Sequence, residues 1–251
     1  RVLFRSDGNA VLLTTGNDIN WFSLQGDDII LRQSGKDETI FKRLSNTYGE
    51  ALEWLRLPYR VQEAAFIAPD YFFFTAQYRL KQADNSNTDN YRIFEELPFW
   101  SNGRGDINGL RTVLYQYDKG NITLLSDTLA SVSELALSPD KQRLGYVLRK
   151  HSNKICPDDK LQVLNTVSLD TKTWSVADSS SYGKLNFTKE EILLFTLRRY
   201  SEKNPQQNAA LYQLDLTNGK ARELYDGDVF SVGNTLISDI KGGNHSRLFA
   251  D

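Results

Sequence analysis

A chain of 251 residues that is 40% hydrophobic and 12% aromatic can fill a core, and 25% charged residues can cover it, which excludes a disordered segment. The 30 basic and 32 acidic residues leave a formal charge of −2, so there is no positive field to neutralise phosphates, and neither nucleic acid nor an anionic membrane surface is an expected partner. No run reaches the roughly 18 consecutive apolar residues that a spanning helix requires, and Arg1 to Leu13 reads as strand rather than as a signal segment.

In chain order, the first clear element is a β-hairpin over Trp21 to Leu31, two short apolar strands around the polar turn Gly26-Asp27. Between Gly49 and Arg56, the spacing of Ala51, Leu52, Trp54 and Leu55 predicts a short helical turn. A second hairpin follows over Ala65 to Phe74 with Pro69-Asp70 in its turn. Proline presets φ for a turn corner and aspartate bonds the neighbouring backbone, so the two strands are forced antiparallel.

An irregular insertion then occupies about residues 80–110. Its first part, Lys81 to Asn90, is polar and reads as an exposed loop; its Asp and Asn content lacks the glycine and terminal glutamate of a calcium loop. Beyond it, Leu114 to Leu125 alternates apolar and polar residues around the corner Asp118-Lys119-Gly120. A third hairpin covers Leu135 to Val147 with Ser138-Pro139-Asp140 in the turn, and a fourth, without proline, covers Leu185 to Phe195. Thr166 to Val176 and Leu211 to Leu224 repeat the corner of Leu114 to Leu125, and Val229 to Ile237 is a fifth hairpin.

The equivalent turn positions Ser23, Ala68, Ser138, Thr188 and Gly233 lie 45, 70, 50 and 45 residues apart. Three of these gaps match one propeller blade, and the long gap holds the insertion. Hairpin and corner alternate, so each period supplies four strands. The expected fold is therefore all-β, a single β-propeller domain over residues 1–251 with about five or more four-stranded blades represented. A β-sandwich also spaces hairpins regularly, but has no reason to repeat both units.

The run Glu96-Leu97-Pro98-Phe99-Trp100-Ser101-Asn102-Gly103-Arg104-Gly105, followed by Arg111-Thr112 opening a strand, resembles the propellers of prolyl oligopeptidase-family serine peptidases, in particular the acylaminoacyl-peptidase branch. The Ser138-Pro139-Asp140 turn and the Leu211 to Leu224 corner are similar to repeats of that family and also to those of TolB-like propellers. The resemblance spreads from Trp21 to Leu236. It implies a propeller of about seven blades, of which this chain would be an incomplete ring, capping an α/β-hydrolase domain that lies outside this chain. That domain would be the propeller's partner. The propeller would gate access of short peptides to the serine of that domain. A free-standing TolB-like scaffold for protein binding is the alternative.

The departure from the family is equally informative. A nucleophile elbow needs Gly-x-Ser-x-Gly, and the chain contains none. The two histidines, His151 and His245, lie in polar loop sequences that do not align an imidazole with a nucleophile. No catalytic, cofactor or metal residue is expected. Cys156 with His151 and Asp158 lacks the second cysteine and fourth ligand of a structural zinc site.

The candidates for a substrate- or interface-facing surface are Glu95, Glu96, Trp100 and Arg104. Paired acids facing a cavity would attract a peptide amino terminus, a role the resemblance associates with the dipeptidyl-peptidase branch; otherwise they are surface acids beside Arg92 or Arg104. Arg104-Gly105-Asp106 is read as a tight loop, and three Asn-x-Ser/Thr sequences, at Asn121, Asn186 and Asn244, matter only for a secreted chain. The lone Cys156 points to a reducing, cytoplasmic setting. With no methionine the chain lacks an initiator and reads as a piece of a longer protein.

Overall fold

The computed structural model describes residues 2–4, 10–12, 19–45, 50–80, 96–97, 100–102, 105–151, 156–201, 208–227 and 232. Among them there are strands, turns and bends but no helix, and none that could cross a membrane. A short pair, β1 (Val2–Phe4) and β2 (Ala10–Leu12), precedes the first four-stranded sheet. That sheet runs β3 (Ile19–Gln25), β4 (Asp28–Ser34), β5 (Thr39–Ser45) and β6 (Leu52–Leu57), in that order.

The second sheet opens with β7 (Val61–Ala68) and β8 (Tyr71–Arg79), is interrupted by the small hairpin β9 (Trp100–Ser101) and β10 (Gly105–Asp106), and resumes with β11 (Leu110–Asp118) and β12 (Asn121–Leu124). The third is β13 (Ala130–Leu137), β14 (Arg143–Lys150), β15 (Lys160–Asn165) and β16 (Thr171–Trp174). The fourth is β17 (Ser180–Lys189), β18 (Ile192–Arg199), β19 (Ala210–Asp215) and β20 (Ala221–Tyr225). In all four, strand order follows chain order and neighbouring strands pair antiparallel, the meander of a propeller blade and not the sheet-switching path of a Greek-key sandwich. The fifth hairpin, at 229–237, lies outside the described residues apart from Val232.

Turn chemistry explains the hairpins. Ser138 Oγ donates to Asp140 Oδ1 and accepts from the Arg143 N–H, while Asp140 Oδ1 also takes the Gln142 N–H, so three side-chain bonds hold the β13–β14 turn. Lys119 and Gly120 both have positive φ, 47° and 95°, as a two-residue hairpin between β11 and β12 requires.

Two expectations are corrected. Gly49 to Arg56 supplies no helical turn among its described residues: Leu52–Leu57 is β6, paired with β5 from Thr39↔Leu57 to Arg43↔Leu52. A single helical turn is marginal alone, and the ladder of β5 gives the inward-facing backbone groups of this edge strand regular partners. Thr166 to Val176 is out of phase as a strand-corner-strand copy. Its strand is β15, ending at Asn165, and Thr166 to Asp170 is the corner itself, with Leu169 at φ 64° and the Asn165 side chain accepting from the N–H groups of Val167 and Ser168.

The chain forms two compact units, Arg1–Gln77 with Tyr115–Leu124, and Tyr78–Leu114 with Leu125–Asp251. In the first, Phe66 and Phe72 pack against Phe41 at ring distances of 5.6 and 6.0 Å, and Phe74 stacks on Tyr115 at 5.2 Å. In the second, Val147, Leu161, Val163, Phe187, Leu193, Phe195 and Leu214 form one continuous buried cluster. Gly145 belongs to the same packing: a Cβ there would come within 3.2 Å of the Phe187 ring.

Candidate functional site

The second strand of each sheet carries an arginine near its end, and each has a defined partner. Arg32 on β4 donates to the carbonyl of Gln62, Arg79 on β8 to that of Asn108 at 2.9 Å, and Arg199 on β18 to the Tyr212 hydroxyl at 2.9 Å. Arg149 on β14 makes two 2.7 Å bonds to Asp159, whose carboxylate is fully buried. A strand end leaves backbone and acids without ladder partners, and a long planar guanidinium can reach them.

The insertion is anchored at this type of strand end. Arg111, second residue of β11 and only 4% exposed, offers Nη1 to Glu96 Oε1 at 2.9 Å and Nη2 to Glu96 Oε2 at 2.5 Å. The Gly109 N–H donates to the same Oε1. Those bonds hold the Glu96 carboxyl below its ordinary pKa of 4.5, the Arg111 hydrogen bonds being the largest cause. On its other side, the corner before β11 is held by Leu80 N–H to Gly109 O at 2.8 Å and by Asp106 Oδ1 accepting from the Asn108 N–H.

Trp100 stands on β9, opposite Asp106 on β10, and is 59% exposed. Gly105, next to Asp106, has φ 76°, which glycine adopts without strain, and a Cβ there would only touch the indole at an ordinary 3.7 Å. Glu95 and Arg104 lie outside the described residues, as do all of the insertion's first part and His245.

His151 follows β14, and its Nε2 is 3.0 Å from Ser131 Oγ on β13. This corrects the expectation of an unoriented loop histidine: β13 and β14 pair so that Ser131 faces Arg149, two residues before His151, and the ladder delivers the hydroxyl. Its outer edge is in solvent, but loss of hydration on its inner side, reinforced by Arg111 and Arg149 and opposed by Glu96, holds its pKa below 6.5. The Ser131 oxygen also takes the Thr112 N–H at 3.3 Å, which pins it to the backbone of β11. The arrangement binds β11, β13 and the insertion together; among the described residues, no carboxylate is hydrogen-bonded to His151 to complete a triad.

Arg111 is the residue sequence reasoning passed over. It appears in the Arg-Thr pair that opens β11, but its acid partner is 15 positions earlier, and no local spacing marks that distance. Asp158 is bonded to Lys160 at 2.9 Å, and among the described residues no three His, Cys, Asp or Glu side chains gather as for a metal ion.

No family model matches the sequence, and no curated protein matches it. Solved structures do. A puromycin-hydrolyzing peptidase of Mycobacterium tuberculosis is similar over 92% of this chain and 32% of its own, with 12% identity and a TM-score of 0.54. The β-propeller domain of the Trilobed protease of Pyrococcus furiosus is similar over 87% of this chain and 59% of its own, with 13% identity and a TM-score of 0.52. The fold is a β-propeller fold. A third similar structure, a putative TolB from Agrobacterium tumefaciens, covers 87% of this chain and 70% of its own with 11% identity and a TM-score of 0.50. This chain thus spans about a third of the peptidase and less than two thirds of the Trilobed protease propeller. In propeller terms the four sheets are blades, and the insertion joins the second and third strands of one of them.

Proposed function

We propose that the chain is a non-catalytic propeller of a serine peptidase of the prolyl oligopeptidase family, nearest in sequence character to the acylaminoacyl-peptidase branch, and that it gates access of short peptides to a partner α/β-hydrolase domain. The observation that carries the reading is the pairing of peptidase-type blades with an insertion whose Glu96 is fastened to Arg111, the two ends of the sequence run that resembles that branch. Gating follows from shape: blades that cover a hydrolase exclude folded proteins by size and admit short chains. Glu95, Glu96, Trp100 and Arg104 are the proposed substrate- or interface-facing residues. With Glu96 bound to Arg111, the exposed Trp100 carries the apolar part of that surface. A reducing cytoplasmic setting, with Cys156 as a free thiol, belongs to the same reading.

The test is the parent reading frame and its activity. A Gly-x-Ser-x-Gly hydrolase segment encoded with this chain, turning over acylated amino acids and short peptides but not folded proteins, and losing that size limit when the propeller is deleted, is the expected result. Serine-hydrolase turnover by this chain alone would overturn it. The TolB-like alternative, a free-standing scaffold for protein binding, is favoured by the 70% coverage of the Agrobacterium structure, and a reading frame without a hydrolase segment would select it.

A further inference from the structure

A cleft of 440 Å³ opens in the second compact unit between the third and fourth blades, at the end of the sheets opposite to Arg149 and His151. One wall comes from β15, β16 and their corner, with Asn165, Asp170, Lys172 and Trp174; the facing wall has Glu191, from the β17–β18 turn, and Leu216. Lys172 and Trp174 are two apart on β16 and opposite Val163 and Leu161 on β15, so they share the face that packs on the next blade. Trp174 and Leu216 pack against the buried cluster, which makes the floor apolar.

The polar groups on the walls are unevenly used. Arg143 is taken by Glu191 and Asp140. Asp170 Oδ2 is bonded to Ser168, and Glu191 gives Oε1 to Arg143, so each carboxylate keeps one oxygen for a further donor. Lys172 is solvent-exposed with no ion pair, and the half-buried Trp174 has no protein acceptor for its indole N–H, among the described residues. Gly219, φ 69°, borders that indole: a Cβ there would be in ordinary contact, 3.7 Å from Nε1. Two unmatched donors on one wall, a half-used carboxylate on each wall, and an apolar floor are complementary to a ligand with one negative end, one positive end and a compact middle. A phosphate or other free anion would meet Asp170 and Glu191 as like charges.

We propose that this cleft binds a short zwitterionic peptide, its carboxylate on Lys172 and the Trp174 indole N–H and its ammonium group on Glu191 and Asp170. The volume lies in the range of small-molecule sites. The proposal is independent of peptidase gating, because binding is read at Trp174 whether or not any hydrolase partner exists.

The experiment is an NMR titration of the intact protein with trialanine, trialanine amide and N-acetyl-trialanine, following the Trp174 indole N–H resonance, assigned with Trp174→Phe. The expected result is a saturable shift with trialanine and at least about tenfold weaker binding of both capped forms. Lys172→Gln, an exposed change that breaks no contact described here, should weaken trialanine about tenfold and erase its preference over the amide, with the melting temperature unchanged. The proposal is overturned if trialanine gives no saturable shift up to about 10 mM, if the capped forms bind equally well, or if Lys172→Gln binds as the parent does.

Discussion

The two compact units build the same type of blade with different packing chemistry. In the first, rings meet rings: Phe66 and Phe72 are 4.5 Å apart, Phe72 stacks on Tyr117 at 4.7 Å, and Trp21 and Trp54 both approach Phe66 at 6.1 Å. In the second, the centre is mostly aliphatic, and the strand ends carry ion pairs such as Arg111 with Glu96 and Arg149 with Asp159. Aromatic faces supply large area and preferred geometries at few positions. Aliphatic packing fills space more evenly, while ion pairs at strand ends occur in both units, as Arg43 with Asp28 and Arg56 with Glu38 show in the first. The contrast teaches that a blade is specified by strand order and turns, while its interior tolerates either solution.

The largest effect that could break this contrast is in the cores. Phe72→Ala should cost about 4 kcal/mol and Leu193→Ala about 3 kcal/mol, read from urea unfolding. A smaller cost at Phe72 than at Leu193 would mean that the ring stack is not the centre of the first unit. Next, Glu96→Gln should destabilise by about 3 kcal/mol because it leaves the buried Arg111 guanidinium without its counter-charge, and combining Glu96→Leu with Arg111→Met should recover most of that loss. If Glu96→Gln melts like the parent, the strand-end pair is ornamental and the second unit rests on its apolar centre alone.

Gly145→Ala sharpens the comparison at about 1 kcal/mol, since the new methyl meets the Phe187 ring at 3.2 Å, and Phe187→Leu in the same chain should relieve it. The smallest effect is with pH. His151 has a depressed pKa, so below 6.5 the unfolded chain takes up a proton that the folded chain refuses, and stability falls as pH falls from there. The Glu96 pKa is also depressed, so its contribution is complete above 4.5 and is lost as pH drops through the folded value. Melting temperatures across this range should show both declines, and His151→Gln should remove only the upper one.

What the sequence made legible was local. Proline and aspartate mark the turns at 69–70 and 139–140, and at the second, Asp140 accepts from a backbone N–H two residues on, so the hairpins and the blade period could be read directly. Where the deciding partner was distant, reading failed or stopped short. Leu52, Trp54 and Leu55 suit a helical face as well as a strand, and only β5 decides between them. Leu169 looks like an inward strand residue but occupies the left-handed corner position that glycine fills at Gly219. Glu96 could be singled out as an acid, yet its meaning depends on Arg111, and that of His151 on a hydroxyl 20 positions away.

The insertion leaves its sheet between the second and third strands and returns at a corner held by the Leu80 and Gly109 backbones, so the ladder on either side does not depend on how long the excursion is. Closure of a longer loop adds only about 0.6 kcal/mol for each doubling of its length. Selection can therefore rewrite or extend what this segment displays while the scaffold stays constant, and variety among related chains should be greatest there.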